Sequence, residues 1–180
     1  TAESKFGTAS LLLDGTGDFV KTDYNSTFLD ESFTVEFWIY TSNYLQDAHL
    51  WDGQVSNSGL AIAITSLGKI RIIQDNVILG TYNSGLGNDA WHHIALTGST
   101  NLLTIYVDGA SRGQANVLGG YGSYPNQAYR IGSRHNDTQF FDGYIDEFRT
   151  SYNVRYVGTF TPPSSALTVD ANTEALIHFD

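Results

Sequence analysis

The sequence predicts an all-β domain built from two packed antiparallel sheets. Three observations predict it. Short runs alternate apolar and polar residues with period two, and no ten-residue stretch carries the i, i+3, i+4, i+7 pattern of a helix. Glycine, Asn, Asp and Ser clusters separate these runs at spacings of roughly 8–12 residues. The chain has 180 residues with 11 Tyr, 10 Phe, 3 Trp and 18 Gly but only 3 Pro, a strand-and-turn composition.

The elements follow in order. Leu11-Leu12-Leu13 and Asp18 to Thr22 supply one or two opening strands. Phe33 to Tyr40 is the clearest strand: Phe33, Val35, Phe37 and Ile39 share one face, and Thr34, Glu36, Trp38 and Tyr40 the other. Leu60 to Thr65 and Lys69 to Gln74 form a hairpin across Ser66-Leu67-Gly68. Trp91 to Thr97 is followed by Leu102 to Val107, and Asp108-Gly109 then suits a two-residue type I′ turn, where both positions need φ > 0. Tyr129 to Gly132, Tyr144 to Thr150 and Ala175 to Phe179 complete the set. Ser151 to Val157 is too short for a helix, and Thr159 to Ser165, with Pro162-Pro163, reads as linker-like. No fixed internal period is visible, which argues against a propeller or solenoid.

Composition excludes several functions. The 9 Lys+Arg and 19 Asp+Glu give a net charge of −10, which argues against nucleic acid and against anionic membrane surfaces. No apolar run reaches the ~18 residues of a membrane span. With no Cys there is no disulfide, thiol nucleophile or thiolate zinc site. Met is absent even at position 1, so residues 1–180 are read as a single domain excised from a longer protein.

Five segments resemble laminin G-like domains of the concanavalin A-like lectin/glucanase superfamily. They are Ser10 to Val20, Phe33 to Tyr40, Trp91 to Leu96, Ile105 to Gly109, and Ile131-Gly132 followed by Phe141 to Arg149. Thr159 to Asp180 also resembles parts of such modules in phage tail and microbial surface proteins. The resemblance implies a jelly-roll β-sandwich. It implies a structural Ca²⁺ where the opening turn meets the late strand, with Asp146 at the matching position and Asp14 and Asp18 in the turn. Calcium takes carboxylate and carbonyl oxygens, and a Gly-rich turn can present both; the alternative is that these acids only form turns and strand ends.

For recognition, three loop-like segments stand out: His49 to Gly53, Tyr121 to Gln127 and Arg134 to Gln139. Their aromatic and amide content suits sugars, which offer apolar C–H faces and hydroxyls. The candidate ligand-binding residues are His49, Trp51, Tyr121, Tyr124, Arg134, His135 and Asn136. The alternative is that Trp51 is core and the rest are solvated loops. His92-His93 reads as packing, since neighbouring strand residues face opposite ways. Asn25-Ser26-Thr27 and Asn136-Asp137-Thr138 match the glycosylation triplet, a pattern frequent by chance. Asp142 and Asp146 alternate together with Glu147 opposed, and no same-face pair at retaining-glycosidase spacing appears. The function expected is therefore a non-enzymatic module, extracellular, on a cell surface or on a virion. It would recognise a glycan or a cell-surface receptor, with weak sites made strong by multivalency in an oligomeric parent. The competing readings are a structural spacer in a fibre or adhesin and a polysaccharide hydrolase.

Overall fold

A computed structural model describes residues 4–22, 32–54, 58–119 and 128–180. It is an antiparallel two-sheet jelly-roll sandwich with no helix among the described residues. Its strands are β1 Leu11–Asp14, β2 Val20–Lys21, β3 Ser32–Thr41, β4 Ala48–Asp52, β5 Leu60–Ile64, β6 Lys69–Gln74 and β7 Val77–Asn83. They continue with β8 Ala90–Ser99, β9 Leu102–Val107, β10 Ala110–Asn116, β11 Arg130–Ile131, β12 Asp142–Ser151 and β13 Thr173–Ile177. A seven-stranded sheet has the order β1-β12-β3-β8-β9-β10, with β13 also on β12; a six-stranded sheet runs β2-β11-β4-β5-β6-β7.

The alternation read in Phe33 to Tyr40 sets the core. Phe33, Val35, Phe37 and Ile39 of β3 point between the sheets with Ile94, Leu96, Ile105 and Ile145. From the facing sheet come Ala48, Leu50, Trp51, Leu60, Ile62, Ile70 and Ile72. Full burial of each large side chain stabilises by about 1.5–3 kcal/mol. Asp108 and Gly109 take φ of 53° and 75°, as the type I′ turn requires.

Two bulges redirect side chains. On β4, His49 pairs with Ala63 and Trp51 with Ile62, so Leu50 is an extra residue. Leu50 and Trp51 therefore both turn inward, while His49 and Asp52 face out. The segment His49 to Gly53 is thus mostly strand, not loop. On β12, Asp146 pairs with Trp38 and Arg149 with Glu36, leaving Glu147 and Phe148 opposite Phe37. Glu147 sits at φ 53° and Phe148 stacks on Phe37 at 5.9 Å. The expected opposition of Asp146 and Glu147 is lost at this bulge, since both become acceptors outside the core.

The outer face of the seven-stranded sheet is covered by the chain's two ends. Tyr156 and Phe160 stack at 3.7 Å, and Phe160 lies against His93 and Tyr106. Beneath them, buried Glu36 accepts from Arg149 Nε at 2.9 Å and Nη2 at 2.6 Å. Its other oxygen accepts from the Tyr156 hydroxyl at 2.6 Å and lies 3.1 Å from His93 Nε2. Burial pushes this carboxyl up, but His93, Arg149 and Tyr156 outweigh it and hold it below the ordinary value. Lys5 and Phe6 cover Trp38, with Lys5 Nζ 3.9 Å from its ring centroid. Thr159 to Ser165 is therefore packed at its Phe160 end, not a free linker. His93 packs in this layer as expected, and His92 Nδ1 lies 2.7 Å from Asp108 Oδ2.

Candidate functional site

With one outer face covered, a concavity among the described residues lies on the other. Ladder register places outward residues of the six-stranded sheet in two rows. One runs His49, Ala63, Arg71, Thr81; the other runs Arg130, Asp52, Ala61, Ile73, Ile78. The small side chain of Ala63 leaves a hollow that a larger one would fill. The result is a cavity of about 180 Å³ lined by His49, Ala63, Arg71, Ile73, Arg134 and Gln139, with Asn76 and Ile78 at its edge.

A loop arches over one side. Arg134 bridges to Thr138, and Asp137 and Gln139 take φ of 59° and 52°. His49 N–H donates to the Gln139 carbonyl at 3.0 Å, tying the loop to β4. Asp52, wholly buried, clamps it from below: its carboxylate accepts the His135 N–H at 2.9 Å and the Gln54 N–H at 2.8 Å. His135 Nδ1 lies 3.2 Å and His49 Nδ1 3.1 Å from the same Asp52 oxygen. Burial pushes the Asp52 carboxyl up, and the His49 contact with the His135 and Gln54 N–H groups more than reverses it, leaving it low. A carboxylate held charged beneath the loop fixes the loop's shape.

Opposite the loop, Asp75 and Asn76 turn β6 into β7 with φ of 52° and 62°. Asn76 Oδ1 accepts from Arg134 Nη2 at 2.9 Å, and Gln139 Oε1 from Arg134 Nη1 at 3.4 Å. The guanidinium thus props hairpin and loop apart across the cavity.

Of the candidate recognition residues, the structure brings His49, Arg134 and His135 together around this cavity and its Asp52 support. Asn136 is exposed on the same loop, its Oδ1 accepting from Thr138 Oγ1 at 2.6 Å. Trp51 is a correction: at 0% exposure it packs on Tyr129 in the core and offers no face to a ligand. Tyr121 and Tyr124 lie outside the described residues, as does Asn25-Ser26-Thr27. Sequence reading missed Arg71, Asn76 and Ile78. The available signal was Ala63, a small outward residue in the middle of a strand.

The three expected calcium ligands are not brought to one point. Asp14 pairs with Asp142, four residues along β12 from Asp146, or ~13 Å. Asp14 Oδ1 accepts the Thr16 N–H and hydroxyl at 2.8 and 2.9 Å, which hold its carboxyl low. Asp18 is exposed. Asp146 is buried and accepts N–H groups from Lys5 at 2.9 Å, Phe6 at 3.3 Å and Glu147 at 2.8 Å. Burial raises its pKa despite these bonds. Calcium needs several oxygens on one point, and with Asp14 about four residues of strand away from an Asp146 already engaged by three N–H groups, this arrangement does not fit the ion. Among the described residues no group of three or more His, Asp or Glu converges as a metal site. Glu147 is also a buried acceptor, of Leu167 N–H at 2.6 Å, with His178 Nδ1 at 2.7 Å.

A family model of the concanavalin A-like lectin/glucanases superfamily, of laminin G type, matches residues 14–156. The chain belongs to that superfamily. Solved structures share the fold of this superfamily member at low identity. A provisionally named carbohydrate binding protein from Bacteroides ovatus superposes with a TM-score of 0.68 at 18% identity, covering 94% of this chain and 52% of that one. Domains LG4-5 of the mouse laminin α1 chain give 0.61 at 15%, covering 90% and 48%. The receptor binding domain of botulinum neurotoxin C/D mosaic serotype gives 0.61 at 17%, covering 78% and 38%. The chain therefore spans about half or less of these three. No curated protein matches it in sequence.

Proposed function

We propose that this superfamily member is a non-enzymatic glycan-binding module of an extracellular, cell-surface or virion protein. The cavity on the outer face of the six-stranded sheet carries the reading. Its floor of Ala63 and Ile73, with Ile78 at the rim, suits a sugar's C–H face, and Arg71, Asn76, Arg134 and Gln139 supply polar contacts. A rigid sheet with a clamped loop is already organised for binding. The carbohydrate-binding name of the Bacteroides protein and the receptor-binding role of the toxin domain support it. Asp146 and Glu147, the acids nearest to a hydrolase pattern, are buried structural acceptors, which favours binding over hydrolysis. Weak single sites would gain avidity if the parent protein is oligomeric.

The test is an array of neutral, carboxylated and sulfated oligosaccharides probed with the whole chain. Binding is expected, and Ala63→Phe, which fills the cavity, abolishes it. Ile78→Trp at the exposed rim gives a second block should Ala63→Phe not fold. Failure to bind any glycan, or binding that survives both folded variants, overturns the proposal.

A further inference from the structure

We infer that the cavity selects an acidic sugar residue, whose carboxylate is taken by Arg71 and Arg134; this rests on the glycan reading of the same cavity. The chain has six arginines and a net charge of −10. Arg130, Arg149 and Arg155 are paired with Asp137, Glu36 and Asp170. Arg112 lies in the field of Asp108. Arg71 and Arg134 have no carboxylate partner among the described residues, and both line the cavity. Nineteen acids were available, so the lack of compensation at this one place is a local feature.

The donors there exceed the acceptors. Arg71 makes no side-chain hydrogen bond among the described residues, and the Nε atoms of Arg71 and Arg134 are shut from solvent without a partner. A buried donor left unbonded costs free energy that an incoming acceptor recovers. Asn76 and Gln139 turn their oxygens to Arg134, leaving their NH₂ groups as donors. His49 points Nδ1 at Asp52 rather than at a ligand. Two guanidinium groups and two amide NH₂ groups form a wall of donors. A carboxylate offers about four lone-pair sites and matches a planar guanidinium fork edge-on. The apolar floor then takes the ring of a single sugar residue.

The test compares D-glucuronate, D-glucose, glucose 6-sulfate and acetate by calorimetric or NMR titration of the whole chain. The glycan array above is read alongside. Glucuronate is expected to bind roughly tenfold or more tighter than glucose, and Arg71→Gln or Arg134→Gln to erase that ratio. Lys21→Gln, an exposed cation on β2, removes the same charge and should leave the ratio intact. Unchanged thermal midpoints show that the variants fold; for one that does not, Arg→Lys keeps the charge, loses the fork and should lower the ratio. Equal binding of glucose and glucuronate overturns this inference while leaving the glycan reading standing. Preference for glucose 6-sulfate overturns the choice of carboxylate. Acetate binding as tightly as glucuronate makes it an anion site without a sugar and overturns it. An array with no bound glycan overturns the glycan reading and this inference with it.

Discussion

Glu174 lies half-buried beside β12, where its carboxylate accepts from the Thr150 hydroxyl at 2.9 Å. Burial pushes its pKa up to about 7, against a smaller opposing effect of Thr150. The folded state therefore prefers the neutral acid. Its contribution is complete below the unfolded pKa, near 4.5, and is lost as pH rises towards 7. Glu174→Gln stays neutral, so it should melt with the wild type at pH 4.5 and above it at pH 8. Thermal scans at the two pH values check this; a variant that melts lower at pH 8 shows that the charged form is the stabilising one. Glu36 and Asp52 have the opposite sign. Their pKa values are lowered, so their contribution holds above the unfolded value and is lost as pH falls through the folded one. Nothing in local sequence distinguishes Glu174 from Glu36: Glu36 is held low by His93, Arg149 and Tyr156, 57 to 120 residues away, whereas Glu174 is raised by burial with only the Thr150 hydroxyl to oppose it.

At the scale of elements, what is legible depends on whether a strand's signal is local. β3 alternates cleanly, and the turn after β9 carries Asp-Gly, so both are readable. β4 is not, because the extra residue Leu50 breaks the alternation and makes the run look like a loop. β7 is an edge strand with little burial, and its Asp75-Asn76 turn lacks the glycine that marks the Asp108-Gly109 turn. That second turn supports more than a hairpin. A Cβ at Gly109 would lie 1.8 Å from the Phe160 carbonyl oxygen, whereas one at Gly17 meets nothing within 4 Å. Gly109→Ala should cost about 3 kcal/mol or more, from strain at φ 75° plus loss of tail docking. Gly17→Ala, at φ 86°, should cost only about 1–2 kcal/mol. Equal losses in chemical denaturation would show that tail docking at Gly109 carries no weight. The opening turn bears on the metal as well. Since Asp14, Asp18 and Asp146 do not converge, chelator and added calcium should both leave the thermal midpoint unchanged. A rise of about 5 °C with calcium would instead place an ion on this turn.

At the scale of the molecule, the superfamily match stops at residue 156, but the sandwich does not. Phe160 covers His93 and Tyr106, Leu167 N–H satisfies Glu147, and β13 pairs with β12. Deleting 157–180 would bare this face and leave buried Glu147 unpaired. The truncated chain should therefore be insoluble or bind hydrophobic dye; a soluble, cooperatively melting product would contradict this. The two-sheet class was legible because period-two patterns sum over many strands. The cavity was not, because it arises from small volume at Ala63 and from a strand and a loop, far apart in sequence, that bring Arg71 and Arg134 to one lining. His49 and Arg134 were identifiable by residue type alone, while Trp51 was misplaced because a bulge decides which way it points. The most direct test of the central claim is a shift-perturbation map, by NMR, of the chain titrated with an array-positive glycan. The largest changes are expected at Ala63, Arg71, Asn76, Arg134 and Gln139. Changes confined to residues 121–124, or to Trp38 and Tyr40 on the other sheet, would contradict it.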